Sequence, residues 1–288
     1  MVAREVMEGL ASGRHRSPHQ GFSVEFRQHR AYVPGDAPAT IDWKAYAKTD
    51  RLFVREYDDE TNLRAYLCLD HSGSMRYRGD RSRGPDDKPV DKLFYAQAIL
   101  GTLAHALLRN ADQVGGVTFA AGLDEFVPPK NSPGHLQPLL RTLCGDASFQ
   151  TTQLDVVIRE LAAKVQRRSL IVIASDGGGD ADAIGRSLAY LRRGRHEVVW
   201  FQVQDPDEVD FPFRGAIEFE DLENPGQVIS VDAATMAGEY RRRQQQFADE
   251  VRQHCLRHRV EWVRALTDTP PGKFMVDYLA GRQSGVGR

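Results

Sequence analysis

The chain has 288 residues, of which 41% are hydrophobic and 27% charged, a length that buries roughly 75% of the extended surface without help from disulfides or metal. Its 38 basic and 40 acidic residues leave a formal net charge of −2, which excludes a global field directed at nucleic acid or a membrane surface. An ordinary apolar share with 9% aromatics excludes a disordered chain.

Residues 1–62 read as a β-rich N-terminal extension, with Phe, Trp and Tyr side chains to pack against a main domain. Residues 21–26 alternate as a strand does, and Val33-Pro34-Gly35-Asp36 signals a turn. Ile41-Asp42-Trp43 and Leu52-Phe53-Val54 are short apolar patches, the first expected to fix the extension to the domain. The main domain is assigned to residues 63–266. It opens with a strand over 63–69 that ends at Asp70, then a charged, Gly-rich stretch over 76–89 expected to be an exposed loop. Residues 91–109 carry apolar side chains at helical spacing. Strands are expected over 113–119 and 123–127, and helices over 133–143 and 154–165. The continuous apolar run at 169–175 is a strand covered on both faces. A helix over 181–192 and a strand over 197–203 follow. Residues 216–231 form short strands around Asn224-Pro225-Gly226, and Asp232 caps a long helix reaching about Leu256. A strand over 259–263 closes the domain, and residues 267–288 read as a C-terminal tail. Alternating strands and helices of this kind predict an α/β fold with a doubly wound, mostly parallel sheet.

Ligands of open parallel sheets bind beyond the carboxyl ends of the strands, near the point where the strand order reverses. Two of the expected strands end in Asp70-His71-Ser72-Gly73-Ser74 and in Ser175-Asp176-Gly177-Gly178-Gly179. The spacing after Asp70 lets Ser72 and Ser74 meet at one centre, with Asp70 and Asp176 a layer behind. Thr151 and Thr152, just before the helix at Leu154, are placed to add a third hydroxyl. An oxygen-only donor set favours a hard divalent cation, Mg²⁺ or another such as Mn²⁺ or Ca²⁺. If hydroxyls bind directly and the aspartates act through water, the ion keeps positive charge for a carboxylate from outside.

Asp70-His71-Ser72-Gly73-Ser74 resembles the DxSxS pattern of the metal-ion-dependent adhesion site of von Willebrand factor A domains. Thr152 and Asp176 resemble that site's Thr and final Asp. Upstream, Arg30-Ala31-Tyr32-Val33-Pro34-Gly35-Asp36 followed by Ile41-Asp42-Trp43-Lys44 resembles the hallmark of the domain-of-unknown-function 58 family, and the likeness runs over roughly residues 15–265. The resemblance implies a von Willebrand factor A/Rossmann-like fold and a Mg²⁺-type ion held by Asp70, Ser72, Ser74, Thr152 and Asp176. It also implies protein–protein binding rather than catalysis, with a MoxR-type AAA+ ATPase as partner. Many members carry membrane-spanning segments before this region, and none is expected here.

Competing readings attach to several residues. An enzyme would be a Mg²⁺-dependent phosphatase or phosphotransferase with Asp70 as nucleophile. Haloacid dehalogenase-like enzymes place a second carboxylate where this chain has Ser72, and no lysine stands out for the role such enzymes give one. His254 and His258 have the i, i+4 spacing of metal ligands but no evident acidic third ligand, so they read as surface histidines. His71 reads as a spacer, Asp180 or Asp182 as a helix cap, and Arg78-Gly79-Asp80 as a coincidence of letters. Arg241-Arg242-Arg243 lacks interleaved aromatics and reads as a solvated face, not a nucleic-acid contact. Cys68, Cys144 and Cys255 have neither disulfide-framework nor zinc spacing and suit a reducing compartment. With no apolar leader near the start and no run approaching ~20 apolar residues, a cytoplasmic protein is expected.

Overall fold

The computed structural model of the protein describes residues 25–33, 41–58, 63–84, 88–148 and 150–283. These fall into two compact units, one within residues 14–62 and the other from residue 63 onward. In the first, strands β1 (Glu25–Ala31) and β2 (Phe53–Asp58) pair antiparallel, with Arg30 opposite Val54. Ile41 bridges to Val54, and a short helix α1 (Trp43–Thr49) follows. Asp42 caps that helix by accepting the Ala45 N–H at 3.1 Å, and Trp43 meets Tyr46 edge-on at 6.2 Å. The sequence pattern did not announce this helix. Residues 21–24 and Pro34-Gly35-Asp36, where a strand start and a turn were expected, lie outside the described residues.

The second unit is built on a six-stranded sheet. In chain order its elements are β3 (Arg64–Asp70), α2 (Lys92–Arg109), β4 (Gln113–Phe119), β5 (Leu123–Lys130), α3 (Leu136–Leu143) and α4 (Leu154–Lys164). Then come β6 (Leu170–Ser175), α5 (Ala181–Arg193), β7 (Glu197–Gln204) and α6 (Pro206–Asp210). The strands β8 (Ala216–Glu220) and β9 (Val228–Asp232) form a separate hairpin, and α7 (Ala233–Arg257), β10 (Glu261–Leu266) and α8 (Pro271–Gln283) complete the unit.

The sheet order is β10-β7-β6-β3-β4-β5, parallel throughout except for β5, which runs antiparallel on β4 at one edge. This is the doubly wound α/β architecture the sequence predicts. The order reverses between β3 and β6, so Asp70 and Ser175 end adjacent strands at the switch point. Side-chain alternation along β3 explains why both faces must be covered. Ala65, Leu67 and Leu69 join Leu100, Phe201 and Leu139 on one side, while Tyr66 and Cys68 join Ile173, Trp200 and Leu161 on the other. Each fully buried Leu or Phe of these layers contributes about 1.5–3 kcal/mol over leaving it in water. The edge strand β5 ends in Pro128-Pro129-Lys130.

Four sequence expectations meet a different structure. Residues 267–288 include α8, which packs on α2 and buries Phe274, Met275 and Leu279 in the first core layer. The stretch 76–89 is not an exposed loop throughout, since Ser82 is fully buried and Gly79 and Gly84 are buried too. The helix expected from residue 133 begins at Leu136 and is preceded by a turn, and the last strand runs to Leu266 rather than Val263. Among the described residues no helix is long and apolar enough to cross a membrane.

Candidate metal centre at the sheet switch point

Asp70 is completely buried at the end of β3. Its carboxylate accepts from the backbone N–H of Ser72 at 2.9 Å, from the Thr152 hydroxyl at 2.9 and 3.0 Å, and from the Ser175 hydroxyl at 2.6 Å. Ser72 and Ser74, in the short 3₁₀ turn Gly73–Arg76 and just before it, bring their hydroxyls within 3.1 Å of each other. The Ser74 hydroxyl also supports the Asp176 carboxylate. The five residues expected at the site, Asp70, Ser72, Ser74, Thr152 and Asp176, therefore come from three separated stretches and meet at one rim. Thr152 rather than Thr151 reaches Asp70.

Local structure explains the convergence. The Gly73 N–H reaches the Gln150 carbonyl at 3.3 Å, and the Ser148 N–H reaches the His71 carbonyl at 2.7 Å, which lays the threonine segment along the turn after β3. On the other side, Gly177 adopts φ +78° and Gly179 φ +115°, conformations that exclude most side chains. The Trp200 indole N–H donates to the Ser175 carbonyl at 3.3 Å and the Gln202 amide to the Asp176 carbonyl at 3.2 Å. The neighbouring strand β7 thus fixes the backbone that carries Asp176.

Electrostatics separate the two carboxylates. Burial pushes the Asp70 carboxyl up to about 6, and the charge of Asp176 adds to the rise, against the hydrogen bonds from Ser175 and Ser72. Burial acts in the same direction on Asp176, but the Lys92 ammonium more than reverses it and holds that carboxyl below its usual range. Lys92 is 1% exposed and sits 2.9 Å from Asp176 Oδ2 and 2.6 Å from Glu208 Oε1. Burial opposes its charge, and the two carboxylates outweigh burial and hold it above the usual lysine range.

Sequence reading missed Lys92, Ser175 and Glu208. Each left a trace. Lys92 opens the first turn of α2, where the helix dipole disfavours a cation. Ser175 is a lone hydroxyl at the end of an apolar strand. Glu208 belongs to a capping box in the short helix α6, where it accepts the Asp205 N–H at 3.0 Å.

Around this rim the segment after the 3₁₀ turn is clamped to α6. The Gly79 N–H donates to Asp205 at 2.9 Å, and Arg81 pairs with Asp207 at 2.6 Å and with Asp210 at 2.7 Å. A side chain at Gly79 would collide with the Asp205 and Asp207 carboxylates, which accounts for the glycine in Arg78-Gly79-Asp80. The turn of the β8–β9 hairpin covers the opposite flank, where a Cβ on Gly73 would run into the Leu222 carbonyl. A cleft lined by Arg76, Tyr77, Arg78, Asp91 and Leu222 lies between these two borders.

The donor set is oxygen alone, three hydroxyls and two carboxylates, and it suits a small hard divalent cation. Ser72, Ser74, Thr152 and Asp176 would hold the ion, with Asp70 orienting the hydroxyls behind it. Among the described residues no group of three or more His, Cys, Asp and Glu could hold a metal. His254 is only 15% exposed and pairs with Asp182 at 3.2 Å, while its ring stacks on His258. Asp180 caps α5 through the Asp182 and Ala183 N–H groups, at 3.1 and 3.2 Å.

Comparison with known proteins places these features. "Uncharacterized protein Rv1480" of Mycobacterium tuberculosis is 25% identical over 227 residues, which are 78% of this chain and 68% of that protein. "Uncharacterized protein YeaD" of Bacillus subtilis is 22% identical over 189 residues, 66% of this chain and 43% of that protein. Among solved structures, the conserved hypothetical protein BatB from Bacteroides thetaiotaomicron superposes with a TM-score of 0.47 at 17% identity, over 77% of this chain and 98% of its own. The SpRpn10 VWA domain gives 0.38 at 10% identity, over 77% and 95%. A family model described as protein of unknown function DUF58 matches residues 28–255, a span holding the upstream hallmark and every residue of the rim, and the chain belongs to that family.

Proposed function

We propose that the protein is a divalent-cation-dependent protein-binding module. Ser72, Ser74, Thr152 and Asp176 hold Mg²⁺ or a similar ion, Asp70 orients the hydroxyls behind it, and an acidic side chain of a partner completes its coordination. The observation that carries this reading is the meeting of three hydroxyls and two carboxylates from three stretches of chain at the switch point of the sheet. The cleft beside them carries two arginines, Arg76 and Arg78, against one carboxylate, Asp91, a balance that favours an acidic partner. The family resemblance supports a MoxR-type AAA+ ATPase as that partner. The test is capture of such an ATPase by the full chain with and without chelator. Asp70→Ala is expected to remain folded and to lose Mg²⁺-dependent capture, and capture unchanged by either chelator or variant would defeat the reading.

Lys92 is the one observation that favours the alternative, a Mg²⁺-dependent phosphatase with Asp70 as nucleophile, because it brings an ammonium to the site. Against it, that ammonium rests on Asp176, and both Asp70 oxygens are already engaged by hydroxyls in a fully buried position. Turnover of a generic phosphate ester that disappears in Asp70→Asn would favour the enzyme.

A further inference from the structure

The buried ammonium of Lys92 lies at the rim of the proposed cation site. Lys92 is as buried as any core residue, and it touches two carboxylates rather than one. Asp176 belongs to the proposed donor set. Glu208 does not; it projects from α6, and its other oxygen is committed to the capping box at Asp205. The shorter contact is the one to Glu208, 2.6 Å against 2.9 Å. The Lys92 N–H donates to the Tyr77 carbonyl at 3.1 Å, which ties the start of α2 to the end of the 3₁₀ turn. The Tyr77 ring lies 5.8 Å from the ammonium on a further side. Such an arrangement gives a buried ammonium two anchors, the second of them on a partly exposed glutamate.

We propose that Lys92 is a tethered cation that competes with the divalent ion for Asp176, and that Glu208 is the anchor that retains the ammonium when the ion takes Asp176. This rests on the cation-binding reading above and assigns two further residues to it. The physical reason is charge. A divalent ion and an ammonium on the same carboxylate repel each other, so ion entry favours release of Asp176 by the lysine. With Glu208 present the lysine remains paired after release and avoids the large penalty of a lone buried charge. The affinity of the site is thereby set below what its oxygen donors alone would give.

The informative variant is Lys92→Met/Glu208→Gln, which removes one positive and one negative charge together. The net charge is unchanged, so a gain in affinity reports release of Asp176 rather than a change in the overall field. Titration of the full chain with Mn²⁺, followed by calorimetry, is expected to show at least tenfold tighter binding to the double variant than to the parent. Glu208→Gln alone is expected to bind more weakly, because the ammonium then has only Asp176. In the parent protein, saturation with Mg²⁺ is expected to shift the ¹H–¹⁵N signal of the Lys92 ammonium, a readout that needs no variant to fold. Equal Mn²⁺ affinity of parent and double variant, or a Lys92 signal unmoved by Mg²⁺, overturns the role of Lys92 and leaves the cation site standing. Absence of Mn²⁺ binding in both proteins overturns the two together.

Discussion

Replacing Asp70 by Asn is expected to stabilise the protein when no divalent ion is present. The carboxyl of a free Asp titrates near 3.8, and in the folded chain burial and the neighbouring Asp176 lift Asp70 to about 6. A raised carboxyl binds its proton more tightly in the folded than in the unfolded chain. Stability therefore falls as pH rises from about 4 to about 6, and above that the ionised group exerts its full destabilisation. A lift of about two units corresponds to ~3 kcal/mol. Asn keeps an acceptor for the Ser72 N–H, but its NH₂ group faces the Ser175 and Thr152 hydroxyls, which must turn to accept. One compromised neutral hydrogen bond offsets about 1 kcal/mol, leaving a net gain of ~2 kcal/mol. Urea unfolding in chelator at a series of pH values measures this directly. The advantage of Asp70→Asn should be full at pH 8 and fade as the pH drops below 6. A variant less stable than the parent at pH 8, or a difference that does not change with pH, would refute the electrostatic account of this site.

Two further substitutions probe the borders of the site and the packing beneath it. Gly73→Ala forces a methyl group against the Leu222 carbonyl, so thermal or urea melts should show a loss of about 1–3 kcal/mol, typical of overpacking; an unchanged melt would mean that the hairpin does not rest there. Leu279→Ala in α8 empties a site in the first core layer, and a loss of ~2–5 kcal/mol is expected in the same measurement, whereas a loss under 0.5 kcal/mol would show that this helix is peripheral.

Much of the architecture is written in short-range pattern. The run from Leu170 to Ser175 is apolar on both faces, and only a central parallel strand uses such a run. Asp91, Asp180 and Asp232 stand where their helices begin, because a carboxylate satisfies free N–H groups there. The rim residues were legible because two strand ends announce themselves as Asp with adjacent Ser and Gly. What stayed hidden depends on contacts distant in sequence. The burial of Ser82 comes from a clamp between Gly79, Arg81 and residues more than 120 positions later. Lys92 meets Asp176 and Glu208 across 84 and 116 residues, and a lysine at a helix start gives no hint of either. The helix α8 reads as tail in the sequence because its apolar residues do not line up on one narrow stripe, and its burial is apparent only once α2 lies beside it.

The prolines at the end of β5 have a bearing on how other chains can approach. An antiparallel border strand normally offers a ladder of N–H and C=O groups that a foreign segment can join. Pro128 and Pro129 have no N–H to offer, so that border is a poor template both for self-polymerisation and for a guest strand. A partner that docks across the ends of the strands, as proposed above, meets side chains instead of main chain. Recognition there can be tuned one residue at a time without disturbing the scaffold below.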